Sequence, residues 1–310
     1  MFLVSVIIPN FNHERYLDLR IRSVLAQTYK NIEIIILDDC STDDSKSVIE
    51  KYRNNEHVSH IVYNEVNSGS TFKQWEKGFE LANGEIIWIA ESDDSCDESF
   101  LQSSIEVFET PNVVLSFSRS ILIDGLGNQI GIYPTQKNMN DNFCVSGSEF
   151  LHSYLTKRNI VVNASSALFK REIVDNIPKD YYELKGCGDW LFWIHVAESG
   201  WVFYNNKPLN FFRRHSENTT SNLNKNGRNA KETYAIYNYL QEKKHFRRFS
   251  NLMFRARKLI EYQSEQYFQD KKTKNEVLKN WNFTLFDYLL SLFLKMYRQL
   301  IVILHFFHKL

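Results

Sequence analysis

Three glycine signatures are absent from this 310-residue chain, and each absence removes a class of enzyme. No GxGxxG follows the first apolar run, which disfavours the dinucleotide fold of the dehydrogenases. There is no GxxxxGK(S/T) loop to cradle phosphate and no GxSxG elbow to expose a serine nucleophile. Gly186-Cys-Gly188 comes too late and lacks a strand–turn–helix setting. Cysteine is sparse: Cys40, Cys96, Cys144 and Cys187 form neither a CxxC pair nor a Cys/His metal spacing. Nothing in that spacing requires disulfides, so a reducing, cytoplasmic setting is expected. The opening run Phe2–Ile8 is too short for a signal peptide and lacks its basic start. No clean run of about twenty apolar residues is present to cross a membrane. The nearest, Leu285–Leu310, is interrupted by Asp287, Lys295 and Arg298 and reads as an amphipathic helix.

A surplus of either charge is also missing, since 37 Lys+Arg balance 37 Asp+Glu. The balance hides a split. Residues 1–224 carry 20 basic and 30 acidic side chains, whereas residues 225–310 carry 17 and 7. An acidic body argues against a general nucleic-acid binder. The basic tail suits an anionic surface, either a membrane or another protein, and fits a solvated helical face equally well.

What is present is a rhythm. Apolar runs at Val4–Ile8, Ile32–Leu37, Val58–Val62 and Ile86–Ala90 alternate with helical patterns at Tyr16–Gln27, Asp43–Tyr52 and Thr71–Ala82. Such βαβα order predicts an α/β domain with a mostly parallel sheet, and its strand-end loops gather on one edge. Further strands are expected at Val113–Phe117, Asn163–Phe169 and Trp201–Tyr204, with a hairpin turn at Asp124–Asn128. A helix at Asp189–Glu198 has Gly200 at its C′ position. After Asn224 the pattern turns to long, proline-free helical stretches. This divides the chain into residues 1–224, a catalytic-type domain, and residues 225–310, a basic helical region.

Each early strand ends in polar groups. The first is followed by Pro9-Asn-Phe-Asn-His13, the second by Asp38-Asp-Cys-Ser-Thr-Asp43, the third by Asn64 and then Asn67-Ser-Gly69. The fourth stops at Glu91-Ser-Asp-Asp94, three carboxylates where a buried strand meets the sheet's carboxyl edge. Hard oxygen donors on one turn suit Mg²⁺ or Mn²⁺ shared with substrate phosphates. The same acids also suit the N-terminus of a helix running through Phe100-Leu101, with Ser95 or Asp97 as its cap. One loop alone decides nothing, but four in order make a specific signal. An aromatic ring can stack on a base, one carboxylate can accept from base or ribose, and another can hold a metal on phosphate.

These residues resemble the family-2 glycosyltransferases with the GT-A fold. The likeness runs through Val4-Ser-Val-Ile-Ile-Pro-Asn-Phe-Asn12, Ser23-Val-Leu-Ala-Gln-Thr28 and Glu33-Ile-Ile-Ile-Leu-Asp-Asp-Cys-Ser-Thr-Asp43. It continues through Asn67-Ser-Gly69, Gly84-Glu-Ile-Ile-Trp-Ile-Ala-Glu-Ser-Asp-Asp94, Gly188-Asp-Trp190 and Arg213-Arg-His-Ser-Glu-Asn218, leaving the C-terminal helices outside it. The resemblance implies a nucleotide-diphospho-sugar transferase fold, a mostly parallel central sheet flanked by helices, with a C-terminal helical extension. It implies transfer of a sugar, with inversion, from a nucleotide-diphosphate donor (a UDP-sugar is favoured) to a glycan or lipid-linked glycan acceptor in surface polysaccharide synthesis. By the same resemblance Pro9 and Phe11 shape the base pocket, Asp39 meets the base, and Asn12, Asn67, Gly69, Ser92 and Arg214 belong to the donor site. Asp93, with Glu91 or Asp94 beside it and His215 as a further candidate, would hold Mn²⁺ or Mg²⁺ on the diphosphate. Asp189 stands where the family keeps its base.

The sequence departs from the common pattern at three places. Cys40 stands where Gly is frequent, Glu91 where Asp is frequent, and Gly188 where a second acid is usual. Trp75 is read as core, with Lys73 and Lys77 on the surface. The tail from Phe283 is expected either to lie at the inner face of the cell membrane or to pack on protein, including a second copy in a homodimer. A nucleotidyltransferase is the rival enzyme, but Pro9-Asn-Phe-Asn12 is not the Gly-rich, basic loop it would need. A non-catalytic nucleotide-sugar-binding scaffold is the rival from another class, and the intact Asp93 and Asp189 speak against it.

Overall fold

The computed structural model describes residues 1–136, 139–214, 223–264 and 267–307, with residues 298–307 described by backbone alone. Strands β1 (Val4–Asn10), β2 (Ile32–Asp38), β3 (Val58–Tyr63) and β4 (Ile86–Ile89) alternate with α1 (Glu14–Leu25), α2 (Ser45–Glu50) and α3 (Thr71–Leu81). They pair in the order β3-β2-β1-β4, all parallel. Every residue of β1 and β4 is buried, as the unbroken Val/Ile runs require of strands covered on both faces. Helix α1 turns Leu17, Arg20, Ile21 and Val24 inward at helical spacing.

The chain continues through β5 (Ser95–Cys96), α4 (Phe100–Ile105), β6 (Val113–Ile123), β7 (Gln129–Tyr133), β8 (Phe143–Ser146) and α5 (Gly147–Phe150). It then forms β9 (Ala167–Lys170), α6 (Gly188–Glu198) and β10 (Trp201–Arg213). The ten strands make one sheet along the path β3-β2-β1-β4-β9-β6-β10-β5, with β7 on β6 and β8 on β10. Beyond β4 the sheet is mixed. Strand β9 lies antiparallel to both of its neighbours, β4 and β6, while β6 and β10 run parallel to each other.

Three expectations change in detail. The run at 113–117 extends to Ile123, because β7 folds back on it through Asp124–Asn128, closed by Asp124 N–H donating to Asn128 O at 2.9 Å. The strand expected from Asn163 starts at Ala167; Ala164–Ser166 forms a short 3₁₀ turn in which Ser166 Oγ donates to Asn163 O. Gly200 does follow α6, but packing is what requires it there. A Cβ at this position would lie 2.5 Å from both Asn112 O and a Val114 methyl.

The backbone groups into two units: Met1–Leu151 with Asn159–Glu217, and His152–Arg158 with Asn218–Leu310. The second unit contains α7 (Arg228–Glu242), α8 (Arg248–Gln263), α9 (Lys271–Trp281) and α10 (Leu285–Phe307). Its core centres on Trp281, whose ring meets Tyr234, Tyr237, Tyr262 and Phe283 at centroid distances of 5.1–5.6 Å. The indole N–H of Trp281 donates to Ala230 O.

Candidate active site

The carboxyl ends of β1, β2 and β4 bring the strand-end loops together. Asp38 accepts from Asn10 Nδ2 (2.8 Å) and Ser41 N (2.9 Å), which joins the first two loops. Asn12, in the left-handed region at φ 57°, turns its Oδ1 to Thr42 N (2.7 Å). Phe11, beside it, is exposed, while Pro9 is buried within β1. Asp39 is buried and collects donors from the third loop: Asn64 Nδ2, Ser68 N and Gln74 Nε2 on Oδ1, and Ser68 Oγ on Oδ2. Asn67 Nδ2 donates to Asp39 O, and Asn67 Oδ1 accepts from Gly69 N, where φ of 68° suits glycine. Two buried acceptors in this region, Asn10 Oδ1 and Gln74 Oε1, have no protein partner.

The acidic turn after β4 is fastened from several sides. Asp94, 1% exposed, points inward, accepting from Asn163 Nδ2 (2.8 Å), Ser165 Oγ (2.7 Å) and Arg213 N (2.9 Å). Ser165 Oγ also accepts from Glu91 N, and Arg20 Nε donates to Glu91 O. The Arg20 guanidinium is fully buried, 4.0 Å from Asp94 and over the Trp88 ring. From the end of β10, Arg213 donates to Asp93 O and Asp124 O and lies 4.5 Å over the Tyr16 ring. Ser92 Oγ meets His13 Nδ1 at 2.8 Å.

Glu91 uses its longer arm sideways, where its Oε1 accepts from Trp75 Nε1 at 3.0 Å. Trp75 is buried as expected, yet its N–H holds one of the candidate acids. Burial, and after it the charge of Asp93, pushes the Glu91 carboxyl up to about 8 against the opposing pull of Trp75. Burial and Asp93 likewise raise Asp94 to about 6, despite Arg20 and its hydrogen bonds. Carboxylate oxygens are the donor type that Mn²⁺ or Mg²⁺ takes, but Glu91 and Asp94 already accept from protein donors. Among the described residues, no three His, Cys, Asp or Glu side chains already form a cage.

Asp189 opens α6, where the helix dipole favours a carboxylate. Its Oδ2 accepts from Asn159 Nδ2 (2.8 Å) and its Oδ1 from Trp190 N (2.7 Å). Gly188 has a steric cause: a Cβ there would lie 2.4 Å from the Phe72 ring and 2.6 Å from Tyr181 O. The ring of Trp75 packs on Phe192 and Trp193, one turn along α6 from Asp189. A single indole therefore touches both the helix of the candidate base and the acid turn. Lys77 Nζ donates to Asn64 Oδ1, and Lys73 is exposed. Arg214 lies 4.8 Å over the Phe212 ring, and His215 falls outside the described residues. Arg20, Asn163 and Ser165 join the site without any sequence motif that marks them. A buried arginine on α1 opposite an acidic turn was the one available signal.

Residues 5–177 match the model of glycosyl transferase family 2. Among curated relatives, the chain is 27% identical over 245 residues to TuaG of Bacillus subtilis (strain 168), a glycosyltransferase assigned to teichuronic acid biosynthesis; the match spans 79% of this chain and 90% of TuaG. It is 26% identical over 223 residues to WfaP of Escherichia coli, a UDP-Glc:alpha-D-GlcNAc-diphosphoundecaprenol beta-1,3-glucosyltransferase, spanning 72% and 81%. Among solved structures it matches the mannosyltransferase PcManGT from Pyrobaculum calidifontis in complex with GDP-Man and Mn²⁺, with a TM-score of 0.57 at 16% identity. That likeness covers 78% of this chain but only 64% of the mannosyltransferase chain, and it speaks for the fold.

Proposed function

The chain belongs to glycosyl transferase family 2, and from that premise we propose an inverting transfer of a sugar from a nucleoside-diphosphate donor to a hydroxyl of a growing surface glycan. The observation that carries this reading is the acid turn. Three carboxylates crowd the end of β4, two of them raised by burial and then by the charge of Asp93, at the sheet edge where the nucleotide loops converge. Asp93 is the proposed metal anchor, while Glu91, held by Trp75, and Asp94, held by Asn163 and Ser165, brace the turn. Bound there, Mn²⁺ or Mg²⁺ would offset the charge that develops on the departing diphosphate.

The remaining chemistry falls to protein groups. Phe11 is exposed for stacking on the base. Asp39 Oδ2, with a single protein donor, and the unpartnered Asn10 Oδ1 and Gln74 Oε1 are acceptors for base and ribose. The acceptor hydroxyl attacks the anomeric carbon as the bond to the diphosphate oxygen breaks, and Asp189 takes its proton. A single displacement inverts the centre and requires no covalent sugar–enzyme intermediate. By likeness to WfaP, the proposed donor is a UDP-sugar and the acceptor a lipid-linked glycan, met at the cytoplasmic face of the membrane.

The test is turnover with a panel of UDP-, GDP- and dTDP-sugars plus Mn²⁺. Asp93→Asn and Asp189→Asn are each expected to lower kcat by at least about a hundredfold. Turnover equal to that of the parent in either variant would overturn the assigned role.

A further inference from the structure

Helix α10 is amphipathic in the wrong sense for a helix that only covers a core. Its polar side is the packed one: Asp287 and Ser291 are 1% and 3% exposed, and Lys295 Nζ donates to Gln263 Oε1. Asp287 pairs with Arg255 of α8 at 2.9 Å and closes a capping box with Thr284, accepting from Thr284 N at 2.8 Å. The opposite side carries Leu285, Phe286, Leu289, Leu292, Phe293 and Met296, all more than half exposed. A solvated helix buries its apolar stripe and wets its polar one; here Leu290 and Leu294 are half-buried beside the packed polar groups, while most of the apolar side chains face outward. From Leu285 to Met296 this outward strip spans roughly 18 Å at about 1.5 Å per residue. No helix of the described residues is long and apolar enough to cross a membrane.

We propose that the outward face of α10 seats the protein in the interface of an anionic lipid surface, lying in its plane. Charge selects this occupant. Residues 225–310 carry 17 basic and 7 acidic side chains, so a second copy docking tail to tail through this face would oppose like charges, whereas an anionic bilayer attracts them. Exposed Tyr288 and Tyr297 supply rings with one wet end, of the kind that settle at headgroup depth. The purpose of this seat, to bring the enzyme to a lipid-linked acceptor, rests on the function proposed above. The binding itself does not.

Full-length protein is mixed with vesicles of phosphatidylcholine alone or with about one third phosphatidylglycerol, then sedimented. The parent is expected to follow the anionic vesicles and to detach as salt rises. Leu289→Gln with Phe293→Gln is expected to lower partitioning by at least about tenfold, with an unchanged melting temperature because both side chains are exposed. Leu292→Ser with Met296→Ser should act alike. No sedimentation of the parent, or equal sedimentation of both variants, would overturn the proposal. So would a dimer in analytical ultracentrifugation that both variants abolish while vesicles bind nothing. Donor hydrolysis in free solution, measured alongside, reports on the transferase reading separately.

Discussion

Burial first, and the charge of Asp93 second, set the electrostatics of the acid turn. With Glu91 raised to about 8 and Asp94 to about 6, the folded chain holds protons that the unfolded chain, with carboxyls near 4, releases. A raised carboxyl contributes most below its unfolded value, and that contribution is lost as pH rises through the folded value. The penalty from Glu91 therefore grows between about pH 4 and pH 8. Asp93→Asn removes the second cause of both shifts. Without metal, the variant is expected to melt about 2–4 °C above the parent at pH 8, and by less at pH 5. Added Mn²⁺ should raise the melting temperature of the parent alone. Differential scanning fluorimetry at the two pH values checks this, and a lower melting point for the variant would contradict it. The acids themselves were legible in the sequence because they interrupt a buried run. Their division of labour was not. Partners such as Ser165, Asn163 and Arg20 come from distant segments, and no local pattern links them to the turn.

At the scale of elements, α6 positions its acid through a residue with no side chain. Gly188 lies against Phe72 of α3 and Tyr181 O, leaving no room for even a methyl group. Gly188→Ala must displace the first turn of α6, and with it Asp189. We expect a stability cost of about 1–3 kcal/mol and a loss of at least about tenfold in kcat, with donor KM little changed. Thermal melts and steady-state kinetics separate the two effects; full activity would mean that the helix start does not place the proposed base. The strand and helix pattern through β4 could be read in advance because each run is short and bounded by turn residues. The antiparallel entry of β9 could not, because it depends on how residues 151–166 return to the sheet. The outward apolar face of α10 escaped for a similar reason. Periodicity shows that a helix has two sides but not which one meets the protein.

For the molecule as a whole, a formal charge of zero is the sum of an acidic body and a basic tail. Opposite charge blocks on one chain attract their counterparts on other copies when salt is low, and within about 8 Å screening removes most of that attraction near 0.15 M salt. Solutions are therefore expected to salt in. Static light scattering should give a second virial coefficient that rises between about 10 and 150 mM NaCl. A falling value would place the attraction in apolar surfaces. The second unit also has a discontinuous pedigree. His152–Arg158 belongs to it, although these seven residues are encoded within the transferase half of the chain. Exchanging tails between relatives at a single breakpoint near residue 218 would pair the new tail with the host's own residues 152–158, so a matched chimera exchanges that short segment as well as the tail.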